Sequence, residues 1–595
     1  MIKLCEVATG TITPVTRPVL VDRSPAFEPE GKYLYFISYR DLDPVRDDIH
    51  FELGFPRGAR PFLVTLRADL RSPFVPGPHP LERPTAKPAS GEASSSQEEA
   101  SAPKEASSPE KSVVIDLEGI ADRIVAFPVP VGRYGQIAGI PGKALFTVFP
   151  IEGMLSQAHM SGSASASRGR LEVYDFETLS SDTLIDGVAR FALSRDAKTL
   201  LYRSGNRVRV VRAGEKPKDN SSEPGRKSGW VDLARIKLLV SPPAEWRQMY
   251  REAWRLQRDH FWTPDMSGVN WLAIYQRYLP LLDRVATRGE FSDLLWEMQG
   301  ELGTSHAYEY GGDYRPEPRY SPGRLGADLR YDAETDSYVV ERVIRGDVWD
   351  ERASSPLARA GINIMPGDRL IAIGGHRVGR NVSPHELLIN QAGSDVLLTF
   401  MKMDGTLRSV TIKALYDESR ARYREWVERN RQIVHEATQG RVGYLHIPDM
   451  QAHGYAEFHR GFLAGVVYEG LIVDLRYNTG GFVSPLIVEK LARKRLGYDV
   501  SRWGEPAPYP PESVMGPMVA IINEAAGSDG DIISHVFKMM KLGPLIGKRT
   551  WGGVIGIRPR DTLIDGSVTT QPEFSFWSAE AGWQLENRGD RKSVV

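Results

Sequence analysis

The spacing of apolar residues changes character once along this chain, at the polar stretch GEKPKDNSSEPGRKSG spanning residues 214 to 229. Before it, short alternating runs such as SPAFEPEGKYLYFISYR (24 to 40) and ARFALSRDAKTLLYRSGNRVRVVRAG (189 to 214) have the period of two that a half-buried strand needs. After it, PAEWRQMYREAWRLQRDHFW has the period of a helix. One chain cannot bury both patterns in a single layer, and 595 residues exceed what one core holds. The reading is therefore a multidomain α+β chain. Its expected parts are strand-rich 1–240, helical 241–318, a small β-rich module 319–415 and an α/β unit 416–595.

Both strand-rich runs repeat one order: a polar lead, an Ala-Phe or Phe-Ala step, a PEGK or RDAK turn, then an alternating strand. That is the pattern of propeller blades, with unrelated sandwich hairpins as the alternative. Two or three blades do not close a propeller, which takes about four to eight. The opening CEVATGTITPV reads as the outer edge of a blade whose first half is missing, and GDRKSVV follows closely on Glu586, so both ends are expected to be those of a piece of a larger protein. Residues 81 to 111, rich in Pro, Ala, Ser and Glu, are expected to be a disordered insertion in a blade loop.

Bulk charge narrows the partners. With 75 basic against 76 acidic residues the formal charge is −1, which argues for neither nucleic acid nor an anionic membrane as the main partner. Peptides or proteins are the expected partners. The single cysteine, Cys5, rules out an internal disulfide framework and a cysteine-rich zinc site. No apolar run approaches the roughly 18 to 20 residues a bilayer needs, and the N-terminus has no long apolar core of a signal peptide. A soluble, cytoplasmic chain is expected.

Three amphipathic helices fill 242 to 303, with the stripe Trp246, Tyr250, Trp254, Phe261 and Trp262 read as core and His260 belonging to it. In the module that follows, the opening loop GRLG and the turn PGDRLIAIGG fall in the order of a PDZ domain, which it resembles. Such a loop receives a peptide terminus by strand addition, although PDZ-like folds also serve as covers. Beyond 416, apolar strands (GRVGYLHI, GLIVDL, MVAIIN) alternate with helices expected near 455–467, 484–495 and from Asp531 to Lys541. This is the signature of a mainly parallel sheet whose functional loops lie at the strand C-terminal ends.

Three loops at element ends carry chemistry: GTSH after a helix, RYNTGG after LIVDL and GSDG after VAIIN. Ser528 in the last of these is either a helix cap or a nucleophile. A serine needs a base to take its proton, for which His306 is the best candidate, and a tetrahedral intermediate needs backbone N–H donors such as glycine-rich NTGG offers.

With LGTSHAYE, DLRYNTGG, NEAAGSDGDI, GKRTWGGVIG and LENRG, the chain resembles the tricorn proteases over essentially its whole length except 81 to 111. The resemblance implies a serine endopeptidase that hydrolyses oligopeptides released by larger ATP-dependent proteases and uses no cofactor and no metal. It implies Ser528 as nucleophile, His306 as base, Ser305 orienting His306 and Glu586 binding Ser305. The amides of Gly481 and Asp529 would form the oxyanion hole. It also implies a homo-oligomer, a hexamer, with Asp499 reaching from a neighbouring subunit to a basic substrate side chain, and aminopeptidase partners. Related C-terminal processing peptidases use a Ser-Lys pair. Here Gly553 of RTWGGVIG stands where that lysine would be, with Lys548 before it. The competing readings are an inactive peptide-binding scaffold, a processing-peptidase-like enzyme and, without any HExxH, a metallopeptidase.

Overall fold

The computed structural model describes the chain except residues 19–20, 48, 50–51, 76–112, 156–167, 220, 348, 351–352, 559–560 and 591–595. The expected insertion at 81 to 111 lies outside the described residues. The chain divides into two compact units, Met1–Leu239 and Val240–Val595, with the boundary shortly after the polar stretch rather than in it. Among the described residues no helix is long and apolar enough to cross a membrane.

The first unit is antiparallel throughout. One four-stranded sheet is formed by Asp22–Phe27, Tyr33–Ser38, Arg60–Thr65 and Ile124–Ala126 in that order. A second runs Arg133–Ile140, Lys143–Phe149, Arg170–Asp175 and Ser180–Asp186, each strand beside its neighbour in sequence. A third sheet has Arg190–Leu193, Thr199–Ser204 and Arg207–Arg212. Four-stranded meanders of this kind are propeller blades. The repeated turns fold alike: the Glu28 amide donates to Tyr33 O and the Gly31 amide to Glu28 O, while Ser194 donates to Thr199 O and Ala197 to Ser194 O. Gly31 and Ala197 both sit at positive φ, 72° and 55°. Tyr35, Phe127, Phe146 and Tyr174 form the shared apolar layer.

In the second unit the helical part runs Pro242–His260, Trp271–Tyr278 and Arg288–Gly300. The middle helix stops earlier than its apolar spacing implies, because Pro280 turns the rest into a 3-10 segment, Leu279–Arg284. Tyr250, Phe261 and Phe291 are buried together, as the stripe required, and Trp246 and Trp254 pack on them. The PDZ-like module is one antiparallel sheet ordered Ala327–Asp332, Ser337–Val343, Arg369–Ile373, Asp395–Met401, Leu407–Lys413. Its PGD turn is held by Asp368, which accepts from Met365 N at 2.8 Å and Lys402 Nζ at 2.5 Å.

A helix that the apolar pattern did not announce, Ser419–Ala437, then leads to the α/β part. There Val442–His446, Gly470–Asp474, Met518–Ile522 and Leu545–Gly547 form a four-stranded parallel sheet in that order. The helices are Ala452–Gly465, Ser484–Leu491 and Asp529–Met539, each beginning two or three residues earlier than expected or ending sooner. Phe458, Phe462, Ile533 and Phe537 fill the layer against the sheet with no measurable exposure. With adjacent parallel strands, the loops after Asp474 and after Ile522 open at the same edge.

Candidate active site

Ser528 occupies the N-cap position of Asp529–Met539, yet its side chain makes no capping hydrogen bond. Its backbone is at φ 59°, ψ −123°, outside the region that an L-residue adopts freely. Such strain costs of order 1–3 kcal/mol and persists where surrounding structure imposes it. The capping alternative for this serine thus fails on geometry, and the half-buried residue sits at a tight strand-to-helix turn with its hydroxyl not used as a cap.

That turn is built against the RYNTGG loop. Asn478, fully buried, accepts from Gly480 N at 3.0 Å through Oδ1 and donates through Nδ2 to Ile447 O at 2.9 Å, and its own carbonyl receives Gly527 N at 3.0 Å. One asparagine therefore ties both loops together. A Cβ on Gly480, at φ 78°, would lie 2.5 Å from Ser528 Cβ and 3.1 Å from Asp529 N. Gly481, at φ 147°, lies so close to Met450 that a Cβ would stand 2.0 Å from its carbonyl oxygen. Among the described residues the amides of Gly481 and Asp529 have no hydrogen-bond acceptor. The Asp529 amide is also the first of its helix, where unpaired N–H groups and the helix dipole favour negative charge. Its side chain is turned away into the core, where Ser484 donates to both of its oxygens. Burial raises the Asp529 carboxyl, and the Ser484 bonds offset this in part.

On the other side stands GTSH. His306 Nδ1 lies 2.7 Å from Ser305 Oγ. Ser305 Oγ is 3.2 Å from Glu586 Oε2, and a carboxylate only accepts, so the one hydroxyl proton goes to Glu586. Ser305 Oγ then accepts from Nδ1–H. This leaves Nε2 as the unprotonated nitrogen, with no partner among the described residues. Glu586 is itself fixed by Ser305 N at 2.7 Å, Thr304 Oγ1 at 3.2 Å, Val554 N at 2.7 Å and Ile555 N at 3.2 Å. Burial lowers the His306 imidazole below its usual value, only partly opposed by the Glu586 charge, so the ring is neutral at pH 7. His306 too is at positive φ, 64°, and Thr570 holds it there by donating from Oγ1 to its carbonyl at 2.5 Å.

Trp551 joins the two halves. Its ring meets His306 edge-on with centroids 5.5 Å apart, and its amide donates to Ala526 O at 2.9 Å. A Cβ on Gly527 would stand 2.7 Å from the indole. The loop is held by Asp531, one turn after Ser528, which accepts from Gly552 N at 2.8 Å and Gly553 N at 3.1 Å.

The structure thus joins His306, Ser305 and Glu586 by hydrogen bonds, packs the Gly480–Gly481 loop against Ser528 and Asp529, and links the two groups through Trp551. It does not bring Asp499 there: that residue is exposed on the hairpin Gly497–Asp499/Ala507–Tyr509 and makes no contact with the others. Lys548 is exposed and paired with Glu524 at 2.7 Å, which raises its ammonium above the usual value. Asn478, Asp531, Thr304 and Thr570 were missed by sequence reasoning. Asn478 had a visible signal, a lone buried-type asparagine directly before TGG, whereas the others act across more than 20 residues.

Models of tricorn domains match along the chain: the second β-propeller domain at residues 1–214, the C1 domain at 242–300 and the tricorn PDZ domain at 323–417. The model of peptidase family S41 matches 441–591. The chain is similar to a tricorn protease homolog of Saccharolobus solfataricus, 43% identical over all of this chain and 52% of that protein. It is also 38% identical to the tricorn protease of Thermoplasma acidophilum, over 96% of this chain and 49% of that one. A crystal structure of the tricorn protease superposes with a TM-score of 0.87 at 35% identity, over 99% of this chain and 54% of that chain. The chain spans about half the length of these relatives. Combining a β-propeller domain, a PDZ domain and an S41 peptidase domain in this order, it belongs to the tricorn protease family.

Proposed function

We propose that the chain is a serine endopeptidase of tricorn type, acting on oligopeptides through a Ser-His-Ser-Glu tetrad and an acyl-enzyme. The observation that carries this reading is the directed hydrogen-bond chain from Glu586 through Ser305 to His306 Nδ1, which leaves a neutral Nε2 free to act as the base. As Ser528 Oγ attacks the scissile carbonyl, Nε2 takes its proton. The imidazolium that forms is stabilised by Glu586 through Ser305. The carbonyl oxygen, now an anion, receives the Gly481 and Asp529 amides, donors that cost no reorganisation because the glycine loop and helix start already hold them. His306 then passes the proton to the leaving amine, and water repeats the cycle on the acyl-enzyme.

We assign four parts to this machine: 1–240, 241–318, 319–415 and 416–595. The family likeness favours a homo-oligomer, a hexamer, in which the exposed Asp499 of one copy selects a basic side chain bound to another. It favours substrates released by larger proteases and aminopeptidases acting downstream. Fluorophosphonate labelling of the purified chain tests the chemistry. Label is expected on Ser528 and absent from Ser528→Ala and His306→Ala. A folded chain that takes no label, or takes it elsewhere, would overturn the assignment and favour a peptide-binding scaffold.

A further inference from the structure

The PDZ-like module has a cleft of about 350 Å³ between its strand Ala327–Asp332 and the short helix Pro384–Leu387. The strand is at the edge of its sheet, so its outer side is open to one more strand. Leu325, Leu329, Pro384 and Leu388 form the apolar part of its lining, beside the charged Asp328 and Arg422. At its closed end is the GRLG loop. Ser355 Oγ bonds the Leu325 carbonyl at 3.2 Å and the Gly326 carbonyl at 2.9 Å, so both carbonyls are held by the protein itself. Gly326 has φ 68°, and a Cβ there would stand 2.3 Å from Ser355 Oγ. The loop is therefore built to direct amides into the cleft.

One of those amides is already occupied. Gly326 N donates to Glu418 Oε2 at 3.0 Å. Glu418 holds the N-cap position of Ser419–Ala437, but its side chain caps nothing in that helix. It reaches the loop instead, steadied by Arg422 at 3.0 Å on its other oxygen. Arg422 in turn binds Asp328 on the edge strand at 2.8 Å, and Arg342 binds the other oxygen of Asp328 at 2.7 Å. The neighbouring Leu325 amide, on a buried residue, has no acceptor among the described residues. A buried N–H without a partner is rare and marks a place for a ligand.

We propose that Glu418 stands in, from within the chain, for the C-terminal carboxylate of a peptide. Its carboxylate closes the cleft, and when Glu418 swings out the cleft takes a peptide with an apolar last residue and a free C-terminus. The terminal carboxylate receives the Leu325 and Gly326 amides, the peptide backbone extends the sheet from Ala327–Asp332, and the last side chain packs on Leu329 and Leu388. A competitor tethered this closely acts at millimolar or higher effective concentration, so the free chain binds such peptides weakly. This inference is independent of the peptidase chemistry.

The test is fluorescence anisotropy with a labelled hexapeptide ending in valine, in a Ser528→Ala background so that the probe survives. Glu418→Ala is expected to bind it about tenfold or more tightly than its parent. C-terminal amidation of the probe, or adding Leu329→Glu, is expected to abolish the gain. Equal binding by parent and Glu418→Ala, binding by neither, or equal binding of the amidated probe would overturn the proposal. Circular dichroism checks folding, and if alanine unfolds the module, Glu418→Gln, which keeps the shape and drops the charge, is read in the same way.

Discussion

Replacing Glu586 by glutamine removes one charge and makes one oxygen a donor. As a carboxylate it accepts from Ser305 N and Thr304 Oγ1 on one oxygen, and from Ser305 Oγ, Val554 N and Ile555 N on the other. A glutamine NH2 on the second side would face two backbone N–H groups, so the amide must settle with its oxygen there and its nitrogen against Ser305 N. One charge-assisted bond is lost and the rest become neutral ones, a cost of about 2 to 4 kcal/mol in stability. The catalytic effect follows from distance. Two hydrogen bonds of 2.7 and 3.2 Å separate the carboxylate from His306 Nδ1, a span of at most about 6 Å, and at an effective dielectric of about 20 the attraction to an imidazolium is about 2.8 kcal/mol. This attraction exists only once His306 is charged, so it belongs to the transition state and its loss lowers kcat about a hundredfold with KM little changed. Steady-state cleavage of a quenched fluorescent peptide, with a urea melt on the same sample, measures both. A folded Glu586→Gln chain retaining kcat within about threefold of the parent would refute the relay.

Four further outcomes are expected. Gly480→Ala places a Cβ 2.5 Å from Ser528 Cβ on a left-handed backbone that costs an L-residue about 1 to 2 kcal/mol, so kcat should fall about a hundredfold through displacement of the nucleophile, and activity within fivefold would contradict the packing. The pH profile of kcat/KM should rise through a midpoint below 6.5 and stay flat above it, because burial lowers His306 and the base must be neutral; a midpoint above 7 would oppose this. His306 and His446, both lowered mainly by burial, bind fewer protons folded than unfolded, so stability present above pH 6.5 should decline as pH falls below it. Lys548→Met should leave kcat within twofold, since that ammonium is exposed and paired with Glu524; a hundredfold loss would revive a Ser-Lys mechanism.

Much of this architecture could be read from local pattern. Apolar runs such as MVAIIN and GLIVDL have no polar face to expose, so they had to be buried parallel strands, and their C-terminal ends located the RYNTGG and GSDG loops. The helix Ser419–Ala437 was not legible for the opposite reason: Ala421 is its only buried residue, so it carries almost no apolar stripe. Contacts between distant positions were equally hidden. Nothing near Gly552 announces that its amide will meet Asp531, and Thr570 is 264 positions from the histidine carbonyl it holds. The strain at Ser528 and His306 was invisible as well, because both residue types are at home in ordinary backbone, and only the folded loops force them out of it.

The Glu586 hydrogen bonds also set an order of events in the cell. Ser305 and its carboxylate partner are 281 positions apart, and synthesis proceeds from the N-terminal side, where domains fold first as units. A nascent chain that has already exposed Ser528 therefore still lacks the group that steadies its base. Under the proposed mechanism the relay to His306 cannot form until Glu586 has been made, and Asp590 then binds the Trp551 loop through Thr550. If the proposed relay holds, synthesis order alone keeps the base unsupported until late in translation.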